Sequence, residues 1–485
     1  MELHIPEPLS TTLHEIGDVA GENAYLVGGS VRDLILKREN LDIDIVVVGD
    51  GIQLATEMYR QWKGKIQVYQ QFGTACVTPE NPDKPKVDFV TARCETYNKA
   101  GTLPKVVPGS ITDDLYRRDF TINALAMHID TPNFGTVIDK VGGIEDLNSG
   151  TIQVLHEKSY TDDPTRIFRA FRYAVRYNFN ITESDYNRIK DALQYIKEIS
   201  GERIRNEIDR VLLESTAPQI LNELVNTGIF TAISPHWKIP PSFAEDFQLA
   251  QQAISWSSEY IEKDNISSNI ILWMTLFGIQ DNEGIPAYIL EYLCFRLVLG
   301  YKLEKIAEAK NRNLPKISTS ELKQSHLNDI GVDLSQNTSM EHYNGKWCII
   351  DKEKKKTFIY EQGVLYKIIS PIAMFQSLYS VLNSLNDTVP TSEIYRILKT
   401  YPLEALVLSL SYHNQSRVQQ ENIKEYLLNL RYIQPIINGN DLIQWGEKPG
   451  KNFDSILKNI FSKQLDGIIS SKSEAYTYYI NKRDQ

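Results

Sequence analysis

Two carboxylates stand one residue apart in a strongly apolar stretch, where Asp42 and Asp44 lie in LDIDIVVV. In a β-strand alternate side chains share a face, so these two would point the same way while Ile43 and Ile45 point into a core. Two like charges side by side repel each other unless a cation lies between them. Oxygen ligands alone favour magnesium over zinc. The pattern therefore predicts that Asp42 and Asp44 bind Mg²⁺.

A third acid, Asp88, lies in VDFVTAR, which is also predicted as a strand. Three acids on adjacent strands can hold the metal ions of an in-line phosphoryl displacement, so Asp88 joins Asp42 and Asp44 as a catalytic candidate. The alternative for these acids is an edge strand whose charged residues face solvent.

The segment LVGGSVRD is typical of a strand, a tight turn and a helix start. Glycines at positions 28 and 29 allow close approach of a backbone, and free N–H groups at a helix start suit a phosphate. Ser30 adds a hydroxyl and Arg32 a charge. Although this spacing matches neither G-x-G-x-x-G nor the P-loop, it predicts a triphosphate site at Gly28, Gly29, Ser30 and Arg32.

The segment RRDFTINAL carries Arg118, Asp119 and Asn123 close together among apolar residues. Asp119 and Asn123 are four residues apart and share a face if the segment is helical. A carboxylate and an amide together suit a ribose with two hydroxyls, and an arginine suits a phosphate. The alternative is a helix cap with a buried polar network.

The segment DDPTRIFRAFRYAVRY predicts a helix with a striped surface. At about 100° per residue, Arg166, Arg169, Arg172 and Arg176 fall within an arc of ~120°, and apolar residues occupy the rest. A carboxylate at Asp163 can accept from an exocyclic amine, and Arg166 can donate to a ring nitrogen or carbonyl. Cytosine and adenine share an amine beside a ring-nitrogen acceptor, so one such pair could select both. The alternative is a solvated basic face.

Length and composition are those of a globular protein of several domains, with 485 residues, 42% apolar residues and a net charge of −10. The negative sum does not exclude nucleic acid, because phosphate contacts depend on a local basic face. No apolar run suits a spanning helix and the N-terminus has no signal-peptide pattern. The four cysteines lie far apart without C-x-x-C spacing, which indicates a reducing compartment, and we expect a cytoplasmic protein.

Strand and helix patterns alternate up to about residue 150, and helical spacing dominates thereafter. We therefore expect an α/β or α+β domain with a central sheet, followed by helical segments. The expected parts are a head over 1–150, a helical neck over 151–215, a helical body over 216–415 and a helical tail over 416–485. Within the body, residues 344–363 fit either a small hairpin or an irregular loop.

The stretch VGGSVRDLILKRENLDIDIVV resembles the first motif of class II tRNA nucleotidyltransferases and bacterial poly(A) polymerases, members of the polymerase-β-like nucleotidyltransferase superfamily. RRDFTINALAM, DKVGGIEDL, DDPTRIFRAFRYAVRY and GERIRNEI resemble the family's further motifs, in the family's order. Residues 435–467 are similar to the tail of bacterial members. One position departs from the family, because Asp162 stands where the motif usually has Glu.

The resemblance implies a polymerase-β-like head with a mixed β-sheet, followed by an all-α neck, body and tail. It implies template-independent CCA addition to the 3′ end of tRNA from CTP and ATP, with Mg²⁺ as cofactor, pyrophosphate as product, and neither membrane nor DNA as partner. The implied roles are metal binding by Asp42 and Asp44, catalysis by Asp42, Asp44 and Asp88, triphosphate binding by Gly28, Gly29, Ser30, Arg32 and Arg118, ribose binding by Asp119 and Asn123, and base recognition by Asp163, Arg166 and Arg169.

Four alternatives stay open. Family members that add only CC are similar to the others but lack a flexible loop between the Asp-x-Asp and Arg-Arg-Asp motifs. This chain has a full-length segment there, which favours complete CCA addition or terminal A addition over CC addition. Nothing in the residues separates complete CCA addition from terminal A addition. Poly(A) polymerases of the family often carry a strongly basic C-terminal extension, whereas this chain ends in a nearly neutral tail. A binding protein without catalysis and a small-molecule nucleotidyltransferase are the remaining classes.

GERIRNEI is interpreted as an ion-paired helix that supports the neck.

Overall fold

A computed structural model divides the chain into two compact units, Met1–Ile233 and Ser234–Gln485. The described residues are 3–38, 43–97, 99–101, 104–199, 201–233, 237, 239–277, 338–343, 346–351, 356–359, 375, 378, 381, 382, 385, 388–411, 416–450 and 452–483. For 338–359 the description covers the backbone alone. Asp42 lies outside the described residues.

The described residues of the first unit form eleven strands. They are β1 Ala24–Val27, β2 Ile43–Val47, β3 Lys65–Tyr69, β4 Thr74–Thr78, β5 Val87–Thr91, β6 Arg93–Thr96, β7 Lys105–Pro108, β8 Leu125–His128, β9 Val137–Asp139, β10 Thr151–Ile152 and β11 Asn180–Ile181.

Seven of these strands form one mixed sheet in the order β3-β4-β5-β2-β1-β8-β9. The pair β2–β5 is parallel, and the other pairs of this sheet are antiparallel. Strands β6 and β7 form a separate antiparallel hairpin, and β10 pairs with β11 in parallel. The predicted mixed sheet of the head is therefore confirmed.

The same described part of the first unit also forms eleven helices. They are α1 Leu9–Ala20, α2 Gly29–Ile35, α3 Gly51–Trp62, α4 Ile111–Tyr116, α5 Gly143–Ser149, α6 Ser159–Asp162, α7 Arg166–Tyr177, α8 Glu183–Ala192, α9 Gly201–Leu212, α10 Ala217–Thr227 and α11 Ile229–Ile233.

The two faces of the large sheet have different coverings. Leu26, Ile45 and Phe89 are fully buried on the face that carries α1 and α3, and each stabilises the fold by about 2 kcal/mol through burial of its side chain. On the opposite face, Val46 packs in a small cluster with Leu115 of α4. Since α4 covers that face locally, the part beyond it is left to form a site.

The strand β2 alternates as its sequence predicts. Ile43 and Ile45 are buried, while Asp44 between them is partly exposed on the face that α4 shares. This confirms that the carboxylate of Asp44 points away from the core while its apolar neighbours point into it.

Local sequence explains the ends of the elements that flank the site. Asp50 caps α3 by accepting from the backbone N–H groups of Ile52 and Gln53. Ser110 and Asp113 form a reciprocal capping box at the start of α4, just before the Arg-Arg-Asp motif. Asn178 adopts a left-handed conformation, which ends α7.

Helices α7, α9 and α10 pack against one another at the end of the first unit. Helices α10 and α11 belong to this unit, which ends at Ile233. The boundaries predicted between neck, body and tail stay predictions.

The described residues of the second unit form mainly helices, together with a three-stranded sheet. Its described helices span Phe243–Tyr260, Ser268–Phe277, Thr391–Leu398, Leu403–Ser409, Arg417–Leu428, Gly439–Gln444, Asn452–Leu465 and Lys472–Arg483. Strands Thr338–Tyr343, Lys346–Asp351 and Lys356–Ile359 form an antiparallel sheet. The hairpin alternative for residues 344–363 therefore holds, and the expectation of an all-α body does not extend to this segment.

Among the described residues, no helix is both long enough and apolar enough to cross a membrane.

A candidate active-site cleft

A cleft of about 750 Å³ lies in the first unit, between the large sheet and helices α7 and α9. Among the described residues that line it are nine arginines and six carboxylates, so its walls carry net positive charge. Such a balance suits a polyanion such as a triphosphate. The predicted site residues that line it are Gly29, Ser30, Arg32, Asp44, Arg118, Asp119, Asn123, Asp163, Arg166 and Arg169.

Three predicted site residues are not among those that line the cleft. Gly28 precedes α2 and contacts the cleft through its neighbour Arg118. Asp88 lies in β5, beside the lining residue Asp44. Asp42 is outside the described residues, so its predicted role in metal binding stays a prediction.

Asp44 and Asp88 are direct partners across the parallel pair β2–β5, and we call them the carboxylate row. Paired residues on neighbouring strands present their side chains on the same face of a sheet, and like charges so placed repel. The side chain of Asp88 is 40% exposed, with the ammonium of Lys86 at 4.0 Å. Oxygen donors so placed suit a hard divalent cation, which would remove the repulsion.

Cys76 continues the carboxylate row into β4, where it pairs with Asp88. Burial, together with a hydrogen bond and the charge of Asp88, raises the pKa of the Cys76 thiol to about 11. The thiol therefore stays protonated beside the carboxylates at neutral pH.

The turn between β1 and α2 requires glycine at position 28. Gly28 has a φ of 66°, and a Cβ there would lie 2.5 Å from Nη1 of Arg118. Any side chain at this position would be strained and would displace that guanidinium. Arg118 also donates from Nη2 to Asp114, at 2.9 Å. The turn and the arginine are therefore neighbours at the edge of the cleft, and their predicted binding of a triphosphate stays a prediction.

Arg32 is buried and bound to protein groups on three sides. Its Nε and Nη2 donate to the two oxygens of Asp33 at 2.8 and 2.9 Å, and its Nη1 donates to Oδ1 of Asn123 at 2.5 Å. Burial alone would lower the pKa of Arg32, but the hydrogen bond to Asp33 together with the charges of Tyr177, Asp33 and Tyr173 outweighs burial and raises that pKa. Arg32 thus fixes the Asn123 amide, a contact that its sequence position did not predict.

Asp119 is the most completely satisfied carboxylate of the cleft. Arg169 donates from Nε to its Oδ2 at 2.7 Å, and Asn123 donates to its Oδ1 at 3.0 Å. Burial alone would raise the pKa of Asp119, but the guanidinium of Arg169 and the bond from Asn123 hold it well below its usual range. The buried polar network considered for this segment is therefore present, and it holds Asp119 and Asn123 at the wall of the cleft.

Asp163 and Arg166 lie at the start of α7. Arg166 is buried, and its Nη2 donates to the backbone carbonyl of Arg117 at 3.0 Å. Asp163 accepts from the backbone N–H and hydroxyl of Thr165 at 3.0 and 2.6 Å. It also accepts from Nη2 of Arg203, in α9, at 2.7 Å. Both predicted base-reading residues are thus held in fixed positions.

Tyr97, Tyr173 and Arg203 are among the cleft residues that sequence reasoning missed. The hydroxyl of Tyr97 donates to Glu95 at 3.0 Å, and burial followed by the charge of Glu95 raises its pKa. Arg203 belongs to GERIRNEI, which the sequence indicated as a supporting helix. Arg203 is the third residue of that motif, and its place there was the signal that sequence reasoning could have used.

Tyr173 organises the arginines of α7. Its ring centroid lies 5.5 Å from the guanidinium carbon of Arg169, 4.9 Å from that of Arg172 and 6.0 Å from that of Arg176. Arg32 approaches the same ring at 5.3 Å. Since each cation is attracted to the ring face, one aromatic side chain orders four arginines of the cleft.

Two family models match the chain. Residues 24–153 match "Poly A polymerase head domain", and residues 178–239 match "Probable RNA and SrmB- binding site of polymerase A". The fold and cleft of the first unit thus belong to the class of proteins built on a poly(A) polymerase head.

Curated relatives carry related names. The A-adding tRNA nucleotidyltransferase of Geobacter sulfurreducens is 35% identical over 479 residues, which is 98% of this chain and 47% of that protein. The A-adding tRNA nucleotidyltransferase of Aquifex aeolicus is 34% identical over 299 residues, or 59% of this chain and 36% of that protein. The CCA-adding enzyme of Leuconostoc mesenteroides is 31% identical over 259 residues, or 52% and 61%. The chain spans about half the length or less of the first two relatives.

Solved structures match nearly the whole chain. An apo form of a CCA-adding enzyme has a TM-score of 0.66 at 26% identity, covering 99% of this chain and 96% of that one. A CCA-adding enzyme with ATP has a TM-score of 0.64 at 26% identity, covering 98% and 94%. The Thermotoga maritima CCA-adding enzyme with tRNA has a TM-score of 0.59 at 26% identity, covering 98% and 94%. Residues 24–153 thus match a poly(A) polymerase head, and the chain is similar to A-adding and CCA-adding tRNA nucleotidyltransferases.

Proposed function

We propose that this chain is an enzyme that adds nucleotides to the 3′ end of tRNA without a nucleic-acid template, completing CCA from CTP and ATP with Mg²⁺ as cofactor. The observation that carries the proposal is the carboxylate row beside a cleft whose other wall is rich in arginine. A metal-binding row next to a polyanion site is the arrangement that nucleotidyl transfer needs.

The reaction joins two substrates in one displacement. The 3′-oxygen of the tRNA forms a bond to the α-phosphorus of the nucleotide, and the bond from that phosphorus to the oxygen bridging to the β-phosphate breaks. Pyrophosphate leaves with that electron pair, and the hydroxyl proton is released toward the exposed side of the row, where Asp88 lies. Mg²⁺, when bound, lowers the pKa of the hydroxyl and stabilises the charge of the leaving group.

Different residues of the chain bind different parts of the nucleotide. Asp44 and Asp88, with Asp42 as a predicted further ligand, hold the metal. The turn Gly28–Ser30 with Arg118 binds the triphosphate, while Arg32 supports this site by fixing Asn123.

The other half of the nucleotide is selected by two pairs. Asp119 and Asn123 bind the ribose, and Arg169 holds Asp119 ionised for this purpose. Asp163 accepts from the exocyclic amine of cytosine or adenine, and Arg166 donates to the neighbouring acceptor, which disfavours uracil and guanine.

A second candidate is an enzyme that adds only the terminal A. The names of the Geobacter and Aquifex relatives favour it, since both are A-adding tRNA nucleotidyltransferases. The CCA-adding names of the Leuconostoc relative and of the matching structures favour complete addition. The cleft serves either activity, because both select adenine at the last step.

The test uses three tRNA transcripts that end at the discriminator base, after the first C, and after CC. Each is incubated with Mg²⁺ and labelled CTP or ATP, and products are resolved at single-nucleotide resolution. Growth of all three to CCA supports the complete enzyme, and growth of the CC-ended transcript alone, by one A, supports the A-adding specialist.

The same assay includes outcomes that contradict both candidates. Long A-tails on unrelated RNA would assign the chain to poly(A) polymerases, and tRNA binding without incorporation would indicate a non-catalytic binding protein. Asp44→Ala is the matched control for contaminating activity, because it removes a metal ligand and should bind tRNA while transferring nothing.

A further inference from the structure

Arg203 connects two parts of the cleft that lie far apart in the chain. From α9 its Nη2 donates to Oδ1 of Asp163 at 2.7 Å, and its Nη1 donates to the backbone carbonyl of Gly101 at 2.9 Å. The side chains of Arg203 and Asp163 are 23% and 20% exposed, so the pair lies in the cleft wall rather than in bulk solvent. One planar guanidinium therefore spans the base-reading carboxylate and the segment between β6 and β7.

The hydrogen bonds to the carboxylate of Asp163 converge on one oxygen. Oδ1 accepts from the backbone N–H of Thr165, from its hydroxyl and from Arg203. An oxygen with three donors has no capacity for a further strong bond. Oδ2 is therefore the oxygen that can accept an exocyclic amine, and Arg203 fixes the rotation that presents it.

The other end of this connection is anchored as well. The N–H of Gly101 donates to the carbonyl of Asp162 at 3.2 Å. Gly101 has a φ of 70°, and a Cβ there would lie 3.1 Å from Cβ of Glu198. Lys99 pairs with the same Glu198 at 3.1 Å. Residues 99–101 are thus held against the neck at several points, and Arg203 transmits that position to Asp163.

We infer that Arg203 is a positioning residue for base selection, acting through Asp163 and set by the position of residues 99–101. This inference rests on the proposed function. A planar fork that binds two partners orients a carboxylate in a way that a single ammonium does not. Loss of Arg203 lets Asp163 rotate between its two oxygens, so its contact with an amine weakens and discrimination between bases falls.

The test compares Arg203→Ala with Arg205→Ala, a matched control on the same helix. The side chain of Arg205 is 25% exposed, is not among the residues that line the cleft, and pairs within the helix with Asp209 at 3.6 Å. For each variant, kcat and KM are measured for CTP, ATP, UTP and GTP on tRNA, and the unfolding midpoint is recorded.

The expected result for Arg203→Ala is a loss of about tenfold in preference for C and A over U and G, mainly through KM, as expected for one weakened charge-assisted contact. Its unfolding midpoint should stay close to that of Arg205→Ala, which keeps wild-type selectivity. Arg203→Lys should lose less, because one ammonium replaces the fork. If Arg203→Ala does not fold, the Lys variant decides by the same readout.

A double-mutant cycle with Asp163→Asn tests whether Arg203 acts through Asp163. If it does, Arg203→Ala adds no further loss of selectivity to Asp163→Asn, because the oriented carboxylate is already gone. An active wild type with Arg203→Ala and Arg203→Lys as selective as the parent would overturn the inference while leaving the proposed function intact. A wild type that incorporates nothing would instead overturn the proposed function, and the inference with it.

Discussion

The two walls of the cleft handle their charges in opposite ways. On the arginine wall, formed by Arg169, Arg172 and Arg176 of α7, each guanidinium has a carboxylate of the protein within 4 Å, including Asp119 at 2.7 Å and Glu214 at 3.7 Å. On the carboxylate row, two acids stand side by side with an ammonium at 4.0 Å from one of them. The first wall is organised by ion pairs within the protein, whereas in the second two carboxylates are neighbours on one face of the sheet, an arrangement that suits a divalent cation.

This difference teaches where substitution should harm folding and where it should harm chemistry. A charge compensated inside the protein leaves its partner buried and unpaired when it is removed, which destabilises the fold. Where two carboxylates are direct neighbours, removal of one also removes their mutual repulsion, so we expect activity to fall more than stability.

The largest effect is expected at the carboxylate row. Asp44→Asn should lower the rate of nucleotide addition at least ~1000-fold, because a lost metal ligand removes several kcal/mol of transition-state stabilisation. The unfolding midpoint should not fall. Single-turnover kinetics and thermal unfolding check the two statements, and Asp83→Asn, in an exposed turn, is the control. Unchanged turnover in Asp44→Asn would contradict the metal assignment.

The next largest effect is expected at the arginine wall. Arg169→Met leaves Asp119 buried without its main partner, and should destabilise the fold by about 3 kcal/mol. Denaturant unfolding measures it. Adding Asp119→Asn should restore most of the lost stability without restoring activity, since it removes the unpaired charge and the proposed ribose contact together. A double variant no more stable than Arg169→Met would show that the pairing is not the cause.

A smaller effect appears in acid. The folded-state pKa of Asp119 is lowered by Arg169 and Asn123 against the opposing effect of burial. Its stabilisation is therefore complete above the ordinary carboxyl pKa of about 4 and is lost as pH falls toward the lowered value, by up to about 1.4 kcal/mol per pH unit. Asp119→Asn should show a shallower loss of unfolding free energy between about pH 4 and pH 2. Parallel curves for variant and parent would contradict this account.

The smallest effect is expected at Tyr173. Its ring contacts four guanidiniums, and cation–π contacts contribute about 0.5–1 kcal/mol each where partly exposed. Tyr173→Leu should raise KM for nucleotide roughly fivefold to tenfold with little change in kcat, because the arginine wall loses its order. Tyr173→Phe keeps the ring and serves as the control. Equal KM values for Leu and Phe variants would show that the ring does not order the wall.

Short-range periodicity made part of this molecule predictable. The alternation Ile43, Asp44, Ile45 gave the face of β2, and the spacing of arginines gave the stripe of α7, because each depends on residues next to one another in the chain. The mixed sheet of the head was expected from the resemblance of the motifs to a known family, and not from periodicity.

Contacts between distant segments were not predictable in the same way. Sequence proposed a phosphate contact for Arg32, but its closest bonds are to Asp33 and to Asn123, which another motif supplies. Arg203 reaches the cleft because α9 packs on α7, and no local pattern records that packing. The direct pairing of Asp44 with Asp88 depends likewise on the register of a parallel pair joined through α3, β3 and β4.

The cations that line the described part of the cleft are all arginines. A guanidinium has a pKa above ~12 and stays charged across the whole range in which proteins stay folded, whereas an ammonium can lose its proton when buried. Acetyl groups are transferred to lysine amines and not to guanidiniums, so acetylation cannot neutralise this surface. The positive charge of these arginines therefore changes neither with pH in the range where the protein is folded nor with lysine acetylation. Regulation of polyanion binding would then act through the shape of the cleft or through the divalent cation.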